Sequence, residues 1–156
     1  MSTDELTSYK YRGARALVLL HEEALREFVE TWKNAKEKAT PLPVTKDPNY
    51  TSYDTLMRHV LFWARDYMMW ICEQLELPDP KIDPAPAPES IEKELDSYLE
   101  HLLTQWRKPL ENVSKGRFFE EVYKTRWLTL YCIEAMLEHA VMHPKRHRFQ
   151  FSNISD

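Results

Sequence analysis

The sequence predicts an all-α protein, a four-helix bundle formed by a single domain over residues 1–156. Only two glycines occur among the 156 residues, too few for a turn-rich sheet protein, and 29% of residues are charged against 43% hydrophobic, a balance suited to long amphipathic helices. Apolar residues recur at steps of three and four in four long stretches, which is the period of a half-buried helix. Prolines cluster between those stretches, where helices must break. A chain of this length buries a core without disulfides or structural metal.

The first helix is expected from about Thr7 to Lys38, with Leu17, Leu20, His21, Ala24, Leu25, Phe28 and Trp32 on one stripe. Pro41, Pro43 and Pro48 then mark a loop that covers one end of the bundle. In "TSYD", Thr51 is placed as the cap of the second helix and Asp54 follows three residues later, a capping box with Asp in place of Glu. The helix continues to about Leu75 through Leu56, His59, Val60, Trp63, Tyr67, Trp70 and Ile71. His59 thus stands among apolar residues.

The stretch "LPDPKIDPAPAPES" carries five prolines in fourteen residues. It reads as a stiff, extended crossover along the bundle. Ser90 is expected to cap a third helix through Ile91, Leu95, Tyr98, Leu99, Leu102 and Trp106, ended by Pro109, with His101 exposed beside the stripe. After the break "LENVSKG", a fourth helix is expected from Phe118 to about Met142, through Val122, Leu130, Ile133, Met136, Leu137 and Ala140.

Charge and cysteine content exclude several classes. A net charge of −4 and a pI near 5.9 give no electrostatic footprint for nucleic acid. The short run Lys145 to Arg148 reads as cations complementing a helix C-terminus. The apolar run Ala16 to Leu20 is far short of a membrane span or a signal-peptide core, so a cytoplasmic location is the expectation. Cys72 and Cys132 lie in apolar helical patterns and read as buried free thiols. Trp63, Tyr67, Trp70, Trp106 and Trp127, at helical spacing, read first as core packing.

The chemistry-bearing signal is "HAVMHPKRHRFQ", where His139, His143 and His147 recur every four residues. Imidazoles one turn apart share a helix face. Two such pairs are available, and spacing alone leaves both open. Extension of the stripe from Met136 and Ala140 favours His143 with His147, since His139 is rotated from Ala140 by about 100°. Pro144 disfavours helix at His143, so a kink or a restart is expected there. A pair on one helix with a third histidine from a facing helix supplies three nitrogens and leaves coordination positions open. His21 reads as a hydrogen-bonded core histidine, Glu138 as a solvated charge, and Arg148 as a helix-end cation with anion binding as its alternative role.

The histidine in "LMRHVLFW", the motif "HPKRHRFQ" and the four-helix pattern together resemble the DinB-like superfamily of metal-dependent bacterial enzymes, which includes the YfiT-like thiol transferases. The family pattern H-x-x-x-H followed by R-G-Q maps onto His143, His147, Arg148, Phe149 and Gln150, with Phe149 in place of glycine and Pro144 inside the motif. The resemblance covers the whole chain. It implies up-down-down-up connections and a divalent metal, nickel or zinc, on His59, His143 and His147. It also implies a small-molecule substrate, such as a low-molecular-weight thiol transferred to an electrophile, or alternatively metal-assisted hydrolysis, and a homodimer. The competing expectation is a non-catalytic bundle that dimerises or holds a partner.

Overall fold

The computed structural model describes residues 6–152. The expected single domain extends to residues 1–5 and 153–156, which lie outside the described residues. Four long helices dominate: α1 (Arg12–Glu37), α2 (Tyr53–Gln74), α3 (Ile91–Trp106) and α4 (Ile133–Ser152). Before α4 comes a small antiparallel hairpin of β1 (Tyr123–Lys124) and β2 (Leu130–Tyr131). The chain is therefore mostly helical, with a two-stranded sheet that composition did not announce. No helix among the described residues is long and apolar enough to cross a membrane.

α1 starts later than Thr7 because the preceding segment is tied elsewhere. The Tyr9 hydroxyl donates to the Arg107 carbonyl, and the Lys10 amide donates to the Glu111 carbonyl at 3.0 Å. The helix buries Ala14, Val18, His21, Leu25, Phe28 and Trp32 at the expected three- and four-residue steps. Leu20, assigned to that stripe, is instead 44% exposed. With so few glycines, Ala39 and Glu76 take the left-handed positions after α1 and α2, with φ of 53° and 55°. The amides of Thr40 and Leu77 then return to the carbonyls of Ala35 and Cys72, each at 2.9 Å, and close both helix ends.

Two caps differ from expectation. Ser52, not Thr51, caps α2, its Oγ accepting from the Thr55 amide at 3.0 Å, while Asp54 pairs with Lys36 at 2.6 Å. Ser90 makes no side-chain cap; the 3-10 turn Pro88–Ser90 leads into α3 instead, using the preset φ of proline. The crossover before it is extended and anchored through its carbonyls. Arg65 donates to Ile82 at 2.7 Å and Tyr98 to Asp83 at 2.8 Å. His101 is half-buried, not fully exposed, and its Nε2 accepts from the Asp83 amide at 2.9 Å.

The largest correction concerns residues 118–132, expected as helix. Phe118 is buried at the end of a 3-10 turn, and the chain then forms the hairpin. Val122 and Leu130, placed on a buried stripe, are 57% and 62% exposed. Tyr123, Thr125, Trp127, Thr129 and Tyr131 alternate with other residues. That period of two, in aromatic and β-branched residues, is a strand signal. The hairpin tip closes with the Thr125 amide donating to the Thr129 carbonyl at 2.8 Å. Arg126 fixes it to α2 through Asp66 and Glu73, each at 3.1 Å. Trp127 accordingly sits in the hairpin, 37% exposed, and not in the core; Trp63 and Cys132 are also only half-buried.

α1 packs most extensively along α4, and α2 touches both α3 and α4. Trp32, Trp70 and Trp106 are fully buried in the core. Each indole N–H has a carbonyl partner: Tyr53 at 2.7 Å, Lys124 at 3.1 Å and Ala64 at 2.8 Å. A buried ion pair, Glu22 with Arg107, joins α1 to the end of α3 through contacts of 2.5 and 2.7 Å. α4 runs through Pro144 as one helix, so of the two expected outcomes the restart does not occur, and His143 and His147 stay one helical turn apart.

Candidate metal centre

Three imidazoles converge where α2 faces the C-terminal half of α4. His59, His143 and His147 each offer a ring nitrogen, and these atoms all lie within 4.8 Å of one another. His143 and His147 present their Nε2 atoms to each other at 3.2 Å. Two nitrogens bound to one ion at about 2.0–2.1 Å and at the tetrahedral angle stand roughly 3.3–3.4 Å apart. The His143–His147 pair has that spacing, and all three imidazoles are nitrogen donors of the kind a divalent ion takes, the widest separation in the cluster being up to 4.8 Å. The pair His143 and His147, and not His139 with His143, completes the cluster.

His147 has a defined orientation. Its Nδ1 lies 2.6 Å from the Tyr50 hydroxyl, and that hydroxyl in turn contacts Gln150 Oε1. With the proton on Nδ1, the imidazole donates to Tyr50 and Tyr50 donates to Gln150, leaving the Nε2 lone pair facing the cluster. Such outer hydrogen bonds fix tautomer and ring orientation at metal sites. Tyr50 comes from the short turn Pro48–Tyr50, whose first residues are capped by Asp47 accepting from the Asn49 amide at 2.9 Å. His143 Nδ1 is buried with no hydrogen-bond partner among the described residues.

Burial keeps these rings neutral, the form that binds a cation. Desolvation first, and the neighbouring imidazoles second, push His143 down to about 2. Desolvation and the charge of His59 take His147 to about 4, with Gln150 opposing the shift. His59 is also lowered by desolvation, against a smaller opposing effect of Asp47. It is the half-buried member and opens onto a groove of about 510 Å³ that Arg58, Phe62 and Trp63 also line. A separate cavity of about 580 Å³ lies by Lys10, Lys81, Lys108 and Arg117 and includes none of these histidines.

The remaining candidates fall elsewhere. His139 is stacked on Trp127, ring centroids 4.8 Å apart, with Tyr131 Oη 3.4 Å from its Nδ1. His21 lies in the core against Trp106, as expected, but the hydrogen bond expected of it is missing among the described residues. Glu138 is exposed. Arg148 reaches across to α1, donating to Thr31 Oγ1 at 3.2 Å and approaching Glu27 at 3.6 Å; neither sequence expectation for it described this contact. Phe149, where the family pattern has glycine, is 68% exposed. Tyr50 was missed as a site residue because nothing local marks a tyrosine that meets a histidine 97 positions away. Gln150 had a signal, its place in the motif.

Comparison of the chain with family models, with curated proteins and with solved structures gives no match. The functional reading therefore starts from the cluster.

Proposed function

We propose that this chain is a divalent-metal-dependent enzyme of the DinB-like type, with zinc or nickel held by His59, His143 and His147. The observation that carries the reading is the convergence of three neutral imidazoles from two helices within 4.8 Å. An ion bound by three nitrogens keeps coordination positions open and supplies the acidity that turns a thiol or a water into a nucleophile near neutral pH. The chain's own residues have separate tasks. Tyr50 and Gln150 hold His147 in the tautomer that aims Nε2 inward, α4 holds His143 one turn away, and the groove at His59 gives a small molecule access.

The substrate class we propose is a small molecule, with transfer of a low-molecular-weight thiol to an electrophile ahead of hydrolysis. The up-down-down-up connection of the family is also proposed. Contacts between the helices support it. Tyr11 meets Glu134 while Glu27 meets Arg148, as parallel α1 and α4 require. Glu22 meets Arg107 while Lys36 meets Glu92, as antiparallel α1 and α3 require.

The test is metal content by elemental mass spectrometry on untagged protein. Near-stoichiometric metal in wild type and in His139→Ala, with background levels in His59→Ala, His143→Ala and His147→Ala, is the expected result. Wild type that stays metal-free after incubation with zinc and nickel would sink the enzyme reading and favour a non-catalytic bundle.

A further inference from the structure

On α2, Thr55, Arg58, His59, Phe62 and Trp63 follow one another at steps of three and one, which places them on one seam of the helix. The adjacent seam, with Leu56, Val60, Leu61 and Ala64, is buried in the core. The outer seam faces the groove at His59, closed on other sides by Asn49 from the turn before α2 and Pro88 from the turn before α3. Its walls are therefore apolar at Phe62, Trp63 and Pro88, and hydrogen-bonding at Asn49.

Among the described residues, Arg58 is the one cation lining this groove and no acidic residue lines it. It is half-buried, its guanidinium 6.0 Å from the centroid of the Phe62 ring. Arg26, Arg107 and Arg126 each have a carboxylate partner. Arg58 forms no ion pair among the described residues. A guanidinium has a planar fork of donors that matches a carboxylate in two parallel hydrogen bonds. One positive charge among neutral walls suits a monoanion, whereas a dianionic phosphate is ordinarily met by several cationic or amide donors.

We infer that the groove takes a small organic acid, a monocarboxylate whose charged end meets Arg58 and whose apolar body lies against Phe62, Trp63 and Pro88, next to His59. Recognition of the acid needs only the groove; its status as substrate rests on the metal-site reading above. The role given to Arg58 is to position and select, since it neighbours the histidine cluster without belonging to it.

Phenylacetate and its neutral isostere phenylacetamide are the probes, titrated calorimetrically against the full chain, both zinc-loaded and chelator-treated. Wild type is expected to bind the acid about tenfold or more tightly than the amide, the range of one charge-assisted pair. Arg58→Met is expected to abolish that preference, weakening the acid far more than the amide, while an unchanged helical circular-dichroism spectrum shows that the variant is folded. Arg58→Lys is expected to restore part of the preference. Equal affinities in wild type, or a preference that survives in Arg58→Met, would overturn the inference. So would an acid preference lost on chelation but indifferent to Arg58, because the carboxylate would then be a ligand of the ion. An Arg58-dependent preference in a chain that binds no metal would support the groove and remove only the enzyme reading.

Discussion

His21, His143 and His147 are buried alike, and burial lowers the basicity of all three, yet their surroundings have little else in common. His21 is pushed down to about 3 by desolvation alone. Both of its nitrogens lack a hydrogen-bond partner among the described residues, and its ring is stacked on Trp106 at 3.7 Å and 14°. His143 and His147 face each other and a third imidazole, and His147 is held from behind by Tyr50. A neutral buried histidine is thus common to packing and to ligation; convergence of lone pairs is what separates the two. Low basicity by itself marks neither.

That contrast is open to direct attack. Trp106→Ala removes the stacking partner of His21 and leaves a cavity beside it. A loss of about 3–5 kcal/mol in chemical denaturation is expected, with zinc stoichiometry unchanged. At the other site, Tyr50→Phe deletes the hydroxyl against His147 while keeping the ring. Zinc affinity should fall about 10- to 100-fold in a competition titration with a chromophoric chelator, the usual consequence of losing a partner behind a ligand. A drop in stability without a change in affinity would reduce Tyr50 to a packing residue.

His21→Phe sharpens the comparison by a smaller step. It keeps an aromatic face on Trp106 and removes two buried nitrogens without partners, so a gain of about 1–2 kcal/mol at pH 7 is expected. The pH dependence follows from linkage. The native ring binds its proton far more weakly than the unfolded one, so below about 6.5 the unfolded state takes up the extra proton. The contribution of a neutral His21 is fully present above that pH and is lost as pH falls toward about 3. Denaturation midpoints measured from pH 7 to 4 should therefore decline less in His21→Phe than in wild type. The smallest effect is expected for His139→Phe, whose partner ring Trp127 is partly exposed: a stability change within about 1 kcal/mol and full metal content.

Much of this arrangement was legible in the chain. α1, α2 and α3 follow from apolar stripes and proline breaks, and their ends move by a few residues where a cap choice, Ser52 over Thr51, depends on local backbone. The three clustered histidines were reached from helical spacing joined to a family resemblance. The hairpin was obscured because Val122 and Leu130 continue a helical apolar count, while the alternation from Tyr123 to Tyr131 competes with it over a short span. Pro144 argued for a kink or a restart at His143, whereas α4 continues through it with Pro144 buried. Tyr50 belongs to a long-range contact, which no local pattern encodes.

The distribution of the cluster over the chain has a consequence for how the protein comes apart. His59 belongs to α2, whereas His143 and His147 belong to α4, so an ion held by all three would join segments separated by the crossover, α3 and the hairpin. Such a joint acts as a removable cross-link. Because it would bind the assembled site and not the dispersed chain, the ion would add its binding free energy to the folded state. Chelation would remove that contribution and weaken the docking of α4 against α2.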